Sequence, residues 1–118
     1  MIETVLLHDR VRVDIRDGIA EVWLARPDRL NAIDPPMFEG LLEALDVITA
    51  SNVQAVILAG EGKAFCAGLD VSNFQAWSGK GGKSSLPDLR PRVYGAANSA
   101  QHVAIGWRQL SIPVFAAI

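Results

Sequence analysis

Cysteine is nearly missing from this 118-residue chain: Cys66 stands alone, so no internal disulfide can staple the fold. Histidine is as scarce, with only His8 and His102. They are far apart and lack a neighbouring Cys or carboxylate pattern, which argues against a metal centre. Net charge is small as well, because 11 Lys and Arg against 13 Asp and Glu leave −2. With one loose basic cluster near residues 80–92, nucleic acid is excluded as the expected partner. Long apolar runs are absent too: none approaches the roughly 18 residues of a membrane-crossing helix. The start, MIETVLLHDRVRVD, has an early acid and no apolar stretch of the signal-peptide kind. A soluble protein in a reducing, cytoplasmic setting, with no membrane contact, is the expectation.

Apolar residues are abundant. The AVILMFWYC set makes up 50% and ten glycines add to it, above the usual share of a soluble domain. A chain of this length forms one domain at most, residues 1–118, and can bury a core of its own. The surplus predicts surface that meets another chain or further sequence.

Residues 11–25, VRVDIRDGIAEVWLA, predict a hairpin: Val11, Val13 and Ile15 alternate with Arg12, Asp14 and Arg16, and Asp17-Gly18 supplies the positive φ of a tight turn. RPDRLNAID follows as a loop. Asp34 before Pro35 marks a helix start, since the carboxylate caps free N–H groups and proline at the first position loses no hydrogen bond. Met37, Phe38, Leu41, Leu42, Leu45 and Ile48 then form one apolar stripe to about Ala50. VQAVILAG, residues 53–60, predicts a strand buried on both faces, and the strand–helix–strand order predicts a right-handed crossover. Residues 78–86 read as a flexible Gly/Ser/Lys loop. A second helix is expected from Pro91 to Leu110, weakened by Gly95 and Gly106, and IPVFAAI as a further buried strand parallel to residues 53–59.

Chemistry concentrates in GEGKAFCAGLD, residues 60–70. Glycine is needed where the backbone takes positive φ or another group approaches closely. A glycine before a helical turn can aim the next N–H outward toward an anion or a polarised carbonyl, with Leu69 N–H the natural donor. A plain strand-to-helix turn explains the same glycines. A dinucleotide or phosphate loop does not fit, because Phe65 stands where the third Gly belongs and Lys63 is misplaced for a phosphate-loop lysine. Cys66 has no adjacent base in sequence and is expected as an inert buried thiol; His102 is expected at a surface or interface.

ARPDRLNAID at 25–34, the amphipathic helix, AVILAGEGKAFCAGLDVSNF at 55–74 and IPVFAAI at the end resemble, in order and spacing, the N-terminal half of the enoyl-CoA hydratase/isomerase (crotonase) superfamily. The resemblance implies an α/β fold, the crotonase-like ββα spiral core, cut before the second half and the C-terminal helices. It implies acyl-CoA thioesters as substrates, with no separate cofactor and no metal, and a homo-oligomer, trimer or hexamer, in the complete form. Carried over by position, Leu69 gives one of two backbone N–H donors of an oxyanion hole and Gly68 shapes its turn. Ala67, Asp70 and Val71 would flank the thioester and pantetheine arm, and Asp28, Arg29, Leu30 and Ala32 would lie over the nucleotide end. The family often has a basic residue where Asp28 stands. For Asp70 a supporting structural role is the competing reading. The second donor and the acid/base carboxylates follow the strand that here is IPVFAAI, so they fall beyond Ile118. Hydration or isomerisation of an enoyl-CoA is the implied reaction. A dienoyl-CoA isomerase branch and a catalytically inactive acyl-CoA-binding or assembly fragment are the alternatives.

Overall fold

The computed structural model describes residues 3–70 and 98–118. One mixed five-stranded sheet carries the fold, with strands β1 (Glu3–Leu7), β2 (Val11–Arg16), β3 (Ile19–Leu24), β4 (Ala55–Gly60) and β5 (Val114–Ala117) side by side in chain order. The first two pairings are antiparallel and the β3–β4 and β4–β5 pairings are parallel. The β2–β3 hairpin closes through Asp17 and Gly18, both at positive φ (53° and 77°), as a two-residue turn between right-twisted strands requires. Strand β1 has no counterpart in the sequence reading. Four of its five residues are exposed and only Leu7 is buried, so it carries no two-residue hydrophobic period to reveal it.

Helix α1 (Pro35–Ala50) begins where expected: Asp34 is its N-cap, its carboxylate accepts a 3.1 Å bond from Met37 N–H, and Pro35 opens the first turn. The buried stripe of α1, including Met37, Leu41, Ala44, Leu45 and Ile48, covers one face of the sheet, meeting Val11, Val13, Ala20, Val22 and Val56. Each such aliphatic side chain contributes roughly 1.5–3 kcal/mol by leaving water. The second helix, α2 (Ser99–Gln109), opens on a capping box between Asn98 and Gln101 and packs against α1 through Trp107. Gly106 does not interrupt it, because at that position the helix lies against Leu45. The expected start of α2 at Pro91, the 78–86 loop and Val71 lie outside the described residues.

Three burial expectations are corrected. In β4, Val56 and Ala59 are buried but Ile57 and Leu58 only in part, and in β5 only Val114 is partly buried, the rest being exposed, with Phe115 at 61%. The described helices cover only one side of the sheet, and no strand among the described residues pairs beyond β5. The apolar sequence records a surface suited to burial, not one that these elements cover. Cys66, expected buried, is half-buried. No helix among the described residues is long and apolar enough to cross a membrane.

Candidate active site

Because β3 and β4 run parallel with Leu24 opposite Gly60, the loops that follow them, 25–34 and 61–70, leave the same end of the sheet. Carboxyl ends of parallel strands are where α/β sheets place ligands. The chain stitches the two loops together there. Glu61 N–H donates to Leu24 C=O at 2.9 Å, and Asn31 makes three bonds: its Oδ1 accepts from Arg26 N–H at 2.8 Å and its Nδ2 donates to Glu61 C=O at 2.9 Å and Ala64 C=O at 2.8 Å. Asn31 is fully buried and sits at φ 56°, a left-handed conformation that asparagine tolerates better than most side chains. Gly60 makes this closeness feasible, since a Cβ there would lie 2.5 Å from Phe65 C=O, 2.8 Å from Ala64 C=O and 2.8 Å from Asn31 Nδ2.

Further along, Ile33 N–H donates to Gly68 C=O at 2.7 Å and Asp70 N–H to Ile33 C=O at 2.8 Å, a one-residue parallel bridge opposite Leu69. The Gly68–Leu69 peptide is trans, so its N–H points opposite to its C=O. With that C=O committed to Ile33, Leu69 N–H is aimed away from the loop pair, and it makes no hydrogen bond among the described residues. Gly68 holds φ at +86° with nothing within 4 Å of where a Cβ would stand, and its own N–H lies 3.4 Å from Cys66 Sγ. The Leu69 side chain is 60% exposed beside this donor.

Two arginines and two aspartates underlie the bridge. Arg10 holds Asp34 through Nε at 3.2 Å and Nη2 at 3.0 Å, while Arg26 Nη1 lies 3.4 Å from Asp34 and 2.8 Å from Asp70 and donates to Ala32 C=O at 3.1 Å. Both carboxylates are buried. Burial pushes the Asp34 carboxyl up, but the Arg10 bonds, the Met37 N–H and the two guanidinium charges outweigh it and hold it below the ordinary value of 3.8. A lowered folded value means that this contribution to stability is complete well above the ordinary value and is lost as acid protonates the folded carboxylate. Asp34→Asn is therefore expected to cost about 2 kcal/mol at neutral pH, a difference from the parent that fades below about pH 4 in unfolding titrations. A difference constant with pH would contradict it.

The expected site residues divide by exposure. Asp28, Arg29 and Leu30 lie exposed on and just after a 3-10 turn (Pro27–Arg29), Ala67, Gly68 and Leu69 are exposed on the second loop, and Ala32 is buried between them. Asp70 is buried with its carboxylate on Arg26, and Val71 falls outside the described residues. Glu61, the other acid in the second loop, pairs with Arg12, which also holds Asp14 at 3.1 Å and lies over the Trp23 ring. The sequence reading passed over Asn31, Arg26 and Arg10. For Asn31 a signal existed: a turn-tolerant polar residue between Leu30 and Ala32. No group of three or more His, Cys, Asp or Glu suited to a metal occurs among the described residues. The open groove between the C-terminal ends of the helices, lined by Ile48, Val53, Leu110 and Ile112, contains no titratable side chain and lies away from these loops.

The chain is similar to known proteins in sequence and in fold. The sequence profile of the enoyl-CoA hydratase/isomerase family matches residues 14–91. A Thermus thermophilus protein provisionally assigned as an enoyl-CoA hydratase is 40% identical over 90 residues, which cover 70% of this chain and 36% of that protein. Among solved structures, Pseudomonas aeruginosa PA4980 is 34% identical with a TM-score of 0.69, over 92% of this chain and 43% of that one. An enoyl-CoA hydratase of Mycobacterium marinum, at 23% identity, shares the fold with a TM-score of 0.70 over 92% of this chain and 47% of its own. The chain thus spans 36–47% of the length of these relatives. It belongs to the enoyl-CoA hydratase/isomerase (crotonase) family, and its five-stranded mixed sheet with two helices is a portion of that fold.

Proposed function

We propose that this chain contributes half of an oxyanion site for an acyl-CoA thioester, with Leu69 N–H donating to the thioester oxygen in an enoyl-CoA hydration or isomerisation. The observation that carries the reading is the outward Leu69 N–H, whose direction is set by the Gly68 C=O bond to Ile33. One such preorganised donor stabilises the developing enolate by about 3 kcal/mol. Gly68 gives the turn its positive φ, Ala67 leaves room beside the donor, and Asp70 is assigned to the pantetheine arm, as is Val71, which lies outside the described residues. Asp28, Arg29, Leu30 and Ala32 would meet the nucleotide end, where the exposed Arg29 suits a phosphate.

Catalysis also needs a second donor and a proton-transferring group. Glu61 and Asp70 are each engaged by an arginine, so neither is assigned that task, and neither function is assigned within the described residues. That engagement favours the second reading for the 118 residues alone, an acyl-CoA-binding unit without turnover. The exposed Phe115 supports the expected contact of this surface with another chain or further sequence. The purified chain is expected to cause no loss of enoyl absorbance from crotonyl-CoA above a protein-free control, while crotonyl-CoA, and not free CoA, shifts the Leu69 amide signal in NMR spectra of labelled protein. Turnover that survives purification would contradict the assignment of the acid/base groups. Equal responses to the two ligands would contradict the oxyanion reading.

A further inference from the structure

Resting on that reading, we infer that Arg26 is a positioning residue for the Leu69 donor, acting through Asp70 and Asp34. Leu69 has no side-chain anchor of its own, being 60% exposed, and Gly68 before it has open space where a side chain would be. The peptide is held on one side by the Gly68 C=O bond to Ile33 and on the other by its immediate successor. Asp70 is tied by its N–H to Ile33 C=O at 2.8 Å and by its carboxylate to Arg26 Nη1 at 2.8 Å. Arg26 is itself anchored on the rigid part of the fold: Nη1 donates to Ala32 C=O and faces Asp34, the N-cap of α1, and its backbone N–H is held by Asn31 Oδ1.

The guanidinium therefore joins the N-terminus of the longest helix described to the residue after the donor. A single planar cation whose one nitrogen meets two carboxylates and a carbonyl allows little rotation of any of them. Both partners are buried, so solvent screens the contact weakly. Without Arg26 the buried Asp70 carboxylate loses this cation. The two backbone bonds to Ile33, from Asp70 N–H and to Gly68 C=O, then hold the loop without this side-chain tie to α1. Arg26 touches no substrate in this scheme, and its action is on the direction of the Leu69 N–H.

Hydrogen exchange and ligand response on the 118-residue chain separate this from a purely structural role. In Arg26→Met and in Asp70→Asn, the Asp70 amide is expected to exchange at least tenfold faster while the amides of Val13, Val22 and Val56 keep parental rates. The crotonyl-CoA-dependent shift at Leu69 is expected to fall at least threefold in both, and Arg26→Lys to restore part of it. Asp70→Asn, which keeps the shape of the site, carries the test if Arg26→Met does not fold. Parental exchange at Asp70 in the variants overturns the inference whatever the ligand does, as does acceleration spread evenly over sheet and loop. If exchange changes as expected but the parent chain gives no thioester-dependent shift at Leu69, the functional reading fails, and with it Arg26's role toward substrate.

Discussion

Asn31→Leu is expected to lower the unfolding free energy of the chain by about 4 kcal/mol, a large part of the total for a domain of this size. Leucine shares the branching of asparagine at Cγ and is larger, so the loss is not a cavity effect. It comes from three backbone groups, Arg26 N–H, Glu61 C=O and Ala64 C=O, that lose their partner where little water reaches them. Each such orphan costs about 1–3 kcal/mol. Leucine at φ 56° adds conformational strain that asparagine largely avoids. Urea unfolding followed by fluorescence of the three tryptophans reads this directly. Asn31→Asp, which keeps the acceptor for Arg26 N–H and the tolerance of left-handed backbone, is expected to fall between leucine and the parent. A leucine variant within about 0.5 kcal/mol of the parent, the range of ordinary surface changes, would contradict the stitching of the two loops.

Gly60→Ala and Gly68→Val should fail in different ways. At Gly60 a single methyl would lie 2.5 Å from Phe65 C=O and 2.8 Å from Ala64 C=O, and both obstacles are main chain, so the 61–66 loop must move off the end of β4. Overpacking of this kind costs about 3 kcal/mol and takes the Asn31 bonds with it. At Gly68 nothing lies within 4 Å, and the difficulty is the φ of +86°, which a β-branched residue resists. The loop there is expected to relax to negative φ at a stability cost of about 1–2 kcal/mol, redirecting Leu69 N–H and removing the thioester-dependent shift. Gly60→Ala thus shows first in the unfolding midpoint and Gly68→Val first in ligand response. Equal loss of stability in both would mean that the Gly68 turn bears on folding rather than on the donor.

What could be read from the sequence followed the range of the interactions. The β2–β3 hairpin, the Asp34 cap and the span of α1 rest on neighbours a few positions apart, and they fell where local rules place them. The parallel pairing of β4 with β5 followed from the strand–helix–strand order. The Gly68–Leu69 turn drew notice through its glycines, though their spacing alone also fitted a plain turn. Strand β1 escaped because an edge strand exposed on nearly all its residues has no period. The Arg26–Asp70 contact spans 44 positions and the Asn31–Ala64 contact 33, and no local pattern encodes such pairings. Burial was the weakest expectation: the apolar IPVFAAI segment shows what β5 is suited to contact, and the described helices do not reach its outer side.

The central claim is the proposal that Leu69 N–H, an outward donor with no hydrogen bond among the described residues, meets a thioester carbonyl. The most direct measurement is the infrared stretch of an isotope-labelled thioester carbonyl of crotonyl-CoA bound to the parent chain and to Gly68→Val. A donor in place polarises the carbonyl, so the bound band should lie below that of crotonyl-CoA in water for the parent and return toward it in the variant. A bound band at the solution frequency for the parent, or one equally lowered in both, would contradict the account.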